Sequence, residues 1–283
     1  MSSFVFFGTS RFARIVLEEL AIAGMFPAAV VTQPAKPQGR GWVVLSSETE
    51  TWARAHGISA LAPQNIRDNA EFIQTIASLK TQCFVVAAYG KILPKTLLDI
   101  PPKGTLNVHP SLLPRYRGPS PIESQILADE EHIGVSIMLV DEMLDHGPIL
   151  ASAPIARPEP WPAKGSVLTK ILAHSGGRLL APTMTEWIAG RIVAREQDHA
   201  QATLTRKWTK EDGEIDLKDN PVVNLRKIRA FDVWPGAFTF VERRGKRVRI
   251  KILDAHIESG ALILDRVVPE GRREMAYEDF LRG

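Results

Sequence analysis

Three polar residues are spaced so that they could act together. Asn107 and His109 are separated by a single valine, and Asp145 lies in a Leu144-Asp145-His146-Gly147 turn. Alternate residues of a strand point to the same face. A strand ending at His109 therefore sets the Asn107 amide beside the His109 imidazole, while Leu106 and Val108 enter a core. An amide donor and an imidazole with a carboxylate in reach can stabilise an oxyanion and move a proton, the work of acyl transfer to an amine. The pair runs directly into Pro110-Ser111-Leu112-Leu113-Pro114-Arg115-Tyr116-Arg117-Gly118, a loop stiffened by two prolines. Such a loop at a sheet's ligand-binding edge favours a functional over a merely structural strand end. The other histidines lack HxxH or HExxH spacing, so no metal site is expected. His56, His132, His174, His199 and His256 read as surface or packing residues, and a part for His146, next to Asp145, is the less favoured reading.

The elements that must position these residues alternate between strands and helices. Phe4–Gly8 reads as a buried strand, and Ser10 caps a helix with Phe12, Ile15, Val16 and Leu20 on one face, stopping at Gly24. Ala28–Thr32, Cys83–Ala88, Leu106–His109 and Gly134–Val140 follow as strands. Asp68 with Glu71 opens a helix through Lys80, and Ser120-Pro121-Ile122-Glu123 opens another to about Ala128. A long helix is expected over Val167–Ala189, ended by Gly190. Strands alternating with helices imply right-handed βαβ units and a mainly parallel sheet, whose ligands bind beyond the carboxyl ends of its strands. That is where Asn107 and His109 fall. The polar stretch Arg195–Thr205 reads as a linker, and the strand-like runs 237–242, 247–253 and 261–268 as a small β domain. The expected division is a catalytic domain over 1–190, a linker over 191–206 and a C-terminal domain over 207–283.

Composition bounds the reading. With 45% hydrophobic and 24% charged residues among 283, the chain can bury a substantial core. The one cysteine, Cys83, lies in an apolar run and reads as an inert buried thiol. The N-terminus lacks signal-peptide flanks and no apolar run reaches about 18 residues, so a soluble cytoplasmic protein without membrane contact is expected. The net charge of +3 is carried by residues 191–283, since Lys/Arg and Asp/Glu balance over 1–190. Within that third, Arg247, Arg249 and Lys251 would share one face of a strand and Val248 and Ile250 the other. Such a cationic row suits either edge protection or phosphate contact. The first turn, Gly8-Thr9-Ser10-Arg11-Phe12, has one glycine where a dinucleotide fingerprint wants three, which disfavours a dehydrogenase.

Asn-x-His-x-Ser-Leu-Leu-Pro over residues 107–114 with Leu-Asp-x-Gly over 144–147 resembles the signature of the 10-formyltetrahydrofolate-dependent formyltransferases. Further motifs are similar to the branch that acts on methionyl-tRNA, over nearly the whole chain. They are Thr32-Gln33-Pro34 with Gly39-Arg40-Gly41, Ala88-Tyr89-Gly90-Lys91-Ile92-Leu93-Pro94, the 229–236 stretch ending Val233-Trp234-Pro235-Gly236, Pro269-Glu270-Gly271 and Phe280-Leu281-Arg282-Gly283. The resemblance implies a Rossmann-like α/β domain with helices on both faces of the sheet. It also implies a small OB-like C-terminal β-barrel, shortened here between Ile257 and Leu264. By the same resemblance, the formyl group of 10-formyltetrahydrofolate passes to the α-amine of methionine on initiator tRNA, for translation initiation.

In that reaction Asn107 and a protonated His109 would donate to the oxyanion, while Asp145 orients His109, favours its charged form and helps carry the amine proton away. Tyr89, Gly90, Ile92, Leu93, Ser111, Leu112, Leu113 and Pro114 would hold the folate. Lys36, Arg40 and Trp42 would reach the acceptor end, and Arg247, Arg249 and Lys251 the tRNA phosphates. A monomer is expected. Three departures stand out: Ser46-Ser47-Glu48-Thr49 with Trp42-Val43 in the tRNA-facing loop, Met143 where a glycine would leave the catalytic loop uncrowded, and the shortened C-terminal domain. The nearest rival is a formyltransferase acting on an amino sugar nucleotide, which would keep the polar trio without salt-sensitive tRNA binding. Glycinamide ribonucleotide formyltransferases lack such a C-terminal domain. A catalytically dead RNA-binding module would not need to retain all three polar residues.

Overall fold

The computed structural model describes residues 4–38, 43–243 and 245–282, with the backbone alone for 36–38, 43 and 44. Two compact units emerge: Met1–Gly118 with Gly134–Ile155 and Lys170–Leu204, and Pro119–Ile133 with Ala156–Thr169 and Thr205–Gly283. This differs from the contiguous division expected at 190 and 206. Two internal segments group with the C-terminal part, and residues 195–204 belong to the first unit because they hydrogen-bond to its loops instead of spanning open space.

The elements run β1 (Phe4–Gly8), α1 (Arg11–Ile22), β2 (Ala29–Val31), β3 (Lys36–Gln38), β4 (Val43–Leu45), α2 (Glu48–Ala55), β5 (Ser59–Leu61), α3 (Ala70–Ser78), β6 (Cys83–Ala87), α4 (Lys95–Leu98) and β7 (Thr105–His109). They continue with α5 (Pro121–Leu127), β8 (Ile133–Leu139), β9 (Ile149–Ile155) and α6 (Gly165–Ile188). The main sheet has the order β5-β2-β1-β6-β7-β8-β9. Its first five strands pair parallel and β8 runs antiparallel to β7. The chain winds outward from β1 through β2 and β5, then restarts on the other side at β6. A crevice beyond the strand ends is expected at that reversal. Phe4, Val5, Phe6 and Phe7 are all fully buried, so both faces of β1 are covered, as a parallel sheet requires. One face packs Val5, Phe7, Val31 and Phe84 against Phe72 and Ile76 of α3 and Leu97 of α4. Cys83 is also fully buried, and burial pushes its thiol up to about 12, so it is inert as expected.

Helix starts follow local chemistry in part: Ser10 and Ser120 occupy the N-cap positions of α1 and α5 but make no side-chain capping bond. Asn69, not Asp68, caps α3, its side chain accepting from Phe72 N at 3.0 Å. The Ser46–Thr49 departure starts a helix: Ser47 caps α2 by accepting from Glu50 N, while Thr49 Oγ1 donates to Gly8 O at 2.8 Å. The hairpin β3–β4 and the outer strands β5 and β9 are additions that the sequence pattern did not single out. β5 and β9 are edge strands, β9 carries Pro154, and neither alternates strongly enough to stand out.

The second unit adds α7 (Pro221–Ala230), β10 (Phe238–Arg243), β11 (Lys246–Glu258), β12 (Ala261–Pro269), β13 (Met275–Ala276) and α8 (Tyr277–Arg282). Asn220 caps α7 by accepting from Val222 N and Val223 N, with Pro221 in the first turn. The four strands form an antiparallel sheet in chain order around Ile228, Ile250, Ile252, Ala255, Val267 and Phe280. β11 passes to β12 through Ser259 and Gly260, both at positive φ, the tight hairpin whose twist suits paired strands. This two-residue turn lies in the stretch between Ile257 and Leu264 where a shortening was expected.

Within the first unit, α1 and α6 meet through an ion cluster. Glu19 of α1 is buried, accepts from Arg178 Nε at 3.0 Å and lies 2.6 Å from His174 Nδ1. Gly177 permits the approach, since a Cβ there would fall 2.5 Å from Glu19 Cβ. Burial alone would raise the Glu19 carboxyl, but the bonds from Arg178 and His174 outweigh it and hold it below the usual carboxylate range. A depressed acid stabilises fully above its unfolded value, about 4.3, and loses that contribution as pH falls through its folded value. Arg178→Ala should therefore lower stability at pH 7 and flatten the decline between pH 5 and 3. Urea midpoints across that range check this, and an unchanged acid slope refutes it.

Candidate active site

β7 delivers Asn107 and His109 to the carboxyl edge of the sheet with Leu106 and Val108 buried behind them, the alternation read from the sequence. Asp145 meets both. Asn107 Nδ2 donates to Asp145 Oδ1 at 3.3 Å, and His109 Nδ1 lies 3.7 Å from Asp145 Oδ2. Gly118 N donates to that same Oδ2 at 2.8 Å. The far nitrogen of His109, Nε2, is 2.9 Å from Tyr116 O. A carbonyl only accepts, so Nε2 carries the hydrogen, and a proton gained at Nδ1 makes the ring cationic.

Backbone conformation is unusual here. Ala88, Tyr116 and Asp145 hold φ of +44°, +61° and +48°, a region that residues with a Cβ enter at a cost of roughly 1–2 kcal/mol each. Non-glycine residues in this region cluster where surrounding contacts over-determine them, commonly at functional sites. Gly147 is fixed by close approach, because a Cβ there would lie 2.1 Å from Leu139 O.

The Pro110–Gly118 loop is tied down from inside. Ser111 Oγ donates to Arg115 O at 2.6 Å, and Ser136 of β8 donates to Ser111 O at 2.8 Å while accepting from Leu113 N at 3.1 Å. Ser136 is buried directly opposite His109 in the sheet. It was not among the residues selected from the sequence, although a lone serine in Gly134-Val135-Ser136-Ile137-Met138 was a usable signal.

The loop is also tied from outside by residues 195–204, the expected linker. Ile149 and Arg195 exchange backbone hydrogen bonds at 2.7 and 2.9 Å. Tyr116 N donates to Thr203 Oγ1 at 2.8 Å and Arg117 N to Thr203 O at 2.9 Å. Gln197 Nε2 donates to Asp145 O and Gly147 O. His146 is engaged by Asp141, Nδ1 to Oδ2 at 2.7 Å, and stacks on His199 with ring centroids 4.1 Å apart. Met143 is 62% exposed, so the crowding expected from it does not occur.

The residues expected to hold a folate separate into two groups. Tyr89 is 1% exposed, packs edge-on against Phe7, and burial pushes its phenol up to about 12. Leu93, Leu113 and Ser111 are likewise buried, Leu113 with Met138 and Ile149. These four side chains are packed into the loops from within. Ile92, at 73% exposed, and Gly90 are open, and Leu112 and Pro114 are half-buried. Gln33 Nε2 donates to Tyr89 O at 2.7 Å, linking the Thr32-Gln33-Pro34 motif to the Ala88–Pro94 motif.

Of the nucleic-acid candidates, Lys36 lies on β3 with only its backbone described, and Arg40 and Trp42 fall outside the described residues. In the second unit, Arg247 and Arg249 share the exposed face of β11 while Ile250 is buried. Their guanidinium carbons lie over the rings of Phe240 and Phe238 at 4.0 and 3.9 Å. Lys251, half-buried, pairs in register with Phe238. Trp234, 52% exposed, and Arg249 line a groove together with Lys210, Glu211 and Glu214, an aromatic surface of mixed charge that the motif 229–236 supplies in part.

An amide, an imidazole and a carboxylate converging at the carboxyl edge of an α/β sheet suit acyl transfer, and the family comparison agrees. A formyl transferase model matches residues 2–156 and a formyl transferase C-terminal domain model matches 207–261, so the chain belongs to the formyl transferase family. Within it, the chain is similar to methionyl-tRNA formyltransferases. It is 44% identical over 246 residues to that of Chloroflexus aurantiacus, covering 87% of this chain and 78% of the relative. It is 36% identical over 304 residues to that of Roseiflexus castenholzii, covering 99% and 95%. The fold resembles that of HypX from Aquifex aeolicus in complex with tetrahydrofolic acid, with a TM-score of 0.67 at 15% identity over 98% of this chain and 46% of that one.

Ser136→Ala should leave Leu113 N and Ser111 O without their buried partner and cost about 1–3 kcal/mol. A denaturant titration measures this, and a loss within about 0.5 kcal/mol, the range of an ordinary surface change, would show that the loop repacks freely.

Proposed function

We propose that this chain formylates the α-amino group of methionine esterified to initiator tRNA, using 10-formyltetrahydrofolate, as a cytoplasmic enzyme of translation initiation. The observation that carries the reading is the convergence of Asn107, His109 and Asp145, with separations of 3.3 and 3.7 Å. Relatives named for this activity, at up to 44% identity, support the choice of substrate. When bound, 10-formyltetrahydrofolate would supply the formyl carbon to the attacking amine as its own N10–formyl bond breaks, tetrahydrofolate leaving with N10 gaining a proton to match the one the amine loses.

What the enzyme contributes is electrostatic and protonic. A free α-amine has a reference pKa of about 7.7–8.0, and the ester lowers it, so no nucleophilic side chain is needed. Asn107 Nδ2 has a second N–H beyond the one aimed at Asp145, and it would donate to the oxygen that gains charge. His109, its Nε2–H held by Tyr116 O, would present a proton at Nδ1 to the same oxygen. Asp145 would orient that imidazole and accept the amine's proton through water. For the folate, the exposed Ile92, the half-buried Leu112 and Pro114, and the open backbone at Gly90 fit an apolar, flat ligand with polar edges. Tyr89, Leu93, Ser111 and Leu113 would act from beneath.

For the tRNA, Arg247 and Arg249 carry charge to an exposed strand face, with Lys251 beside them. Stacking on Phe240 and Phe238 pre-orders both guanidinium groups, which reduces what phosphate contact must freeze. Lys36, Arg40 and Trp42 would meet the acceptor end, with Trp42 stacking on a base.

Two experiments test this. Asn107→Ala and His109→Ala should each lower kcat about a hundredfold, near 3 kcal/mol, with tRNA affinity unchanged. The assay compares Met-tRNA with amino sugar nucleotides as acceptor, and preference for the sugar would overturn the reading. Arg247→Glu with Arg249→Glu should raise KM for Met-tRNA and lower the salt slope by about 2. An unaltered slope would remove this strand from the RNA interface.

A further inference from the structure

We infer that Gln197 is a positioning residue for formyl transfer: it holds the Asp145 turn in its left-handed conformation and so aims the carboxylate. The inference rests on the catalytic role proposed for Asp145. Its basis is that every hydrogen-bonding position of one buried amide is used. Gln197 is 5% exposed. Its Nε2 donates to Asp145 O at 3.0 Å and to Gly147 O at 2.7 Å, the carbonyls on either side of His146. Its Oε1 accepts from Arg117 Nε at 3.0 Å and Nη2 at 2.7 Å. A primary amide offers two donors and two acceptor sites, and all four are engaged. The guanidinium fixes which end of the amide is oxygen, because the reversed orientation would set NH2 against donors. Arg117 is buried too, and its Nη2 also reaches His199 Nδ1 at 2.9 Å.

Asp145 needs such a brace. Its φ of +48° is disfavoured for a residue with a Cβ, and among the described residues the bond to its carbonyl comes from Gln197, not from within the Leu144–Gly147 turn. Rotation of this residue would swing the carboxylate away from Asn107, His109 and Gly118 together. Gln197 touches none of the reacting groups, so its effect passes through Asp145 and should fall on turnover, not on substrate binding.

The test measures kcat and both KM values for Gln197→Ala and Gln197→Glu, each alone and with Asp145→Asn. Gln197→Glu keeps the volume and the Arg117 contact but turns an oxygen towards two carbonyls, so it separates aim from packing. Each single variant should lose about tenfold or more in kcat with KM for Met-tRNA and folate within about twofold. In the Asp145→Asn background the further loss should shrink below about twofold, since the residue it aims is already disabled. Amide exchange at Gly118 gives a reading without turnover and should quicken about tenfold in Gln197→Ala. Single-variant kcat within about twofold of wild type, an undiminished loss in the Asp145→Asn background, or unchanged Gly118 exchange would each overturn the inference. Full activity of Asp145→Asn alone would instead overturn the role of Asp145 on which it rests.

Discussion

The site depends on one constraint: the carboxylate of Asp145 has to reach three partners from a backbone turn that does not hold itself. Oδ1 faces Asn107, Oδ2 faces Gly118 N and His109, and the residue carrying them sits at φ +48°. Small rotations at such a residue move its side chain by ångströms, whereas β7 and its pair of polar residues are fixed by a sheet buried on both faces. The variable part of the trio is therefore the loop member. The close approach of Gly147 to Leu139 O, the serine pair beneath the Pro110–Gly118 loop, and Thr203 outside it all act on where that one carboxylate points.

Much of this was legible in the sequence and some was not, for identifiable reasons. The period of two at Leu106-Asn107-Val108-His109 was enough to place both polar side chains on one face, because strand geometry leaves no alternative. Cys83, α6 and the exposed cationic row on β11 could be read in the same way, from apolar context or periodicity. Gln197 and Thr203 could not. Each is an ordinary polar residue in a stretch with no hydrophobic period, and its importance comes from non-local hydrogen bonds to loops some eighty residues away in the chain. The split among Tyr89, Leu93, Ser111 and Leu113 on one hand and Ile92, Gly90, Leu112 and Pro114 on the other was also hidden. Motif membership says that a loop is needed, but only packing shows which side chains shape it from beneath and which are open above.

The second unit shows how a small four-stranded domain carries a basic face. The two-residue turn at Ser259 and Gly260 joins β11 directly to β12 and leaves the core around Ile250 and Phe280 intact. The cationic row then stands on a strand whose other face is that core. Its guanidinium groups rest on aromatic rings across the sheet, a cross-strand pairing that stabilises the face and orders its charge.

Several bonds that hold the loops are shorter than the contacts among the working side chains, while others, such as Thr203 N to Pro114 O at 3.3 Å, are not. The shorter ones, Gly118 N to Asp145, Gln197 to Gly147 O, Ser136 to Ser111 O and His109 Nε2 to Tyr116 O, lie between 2.7 and 2.9 Å. The contacts among the side chains proposed to do chemistry, Asn107 to Asp145 and His109 Nδ1 to Asp145, are 3.3 and 3.7 Å. Hydrogen bonds weaken over that interval, so the second set is the easier to exchange for a substrate oxygen or a bridging water. A site arranged in this way keeps its geometry while its donors change partners. Formyl transfer without an enzyme nucleophile asks for that arrangement, because the only help the protein gives is where its dipoles and protons stand when charge appears.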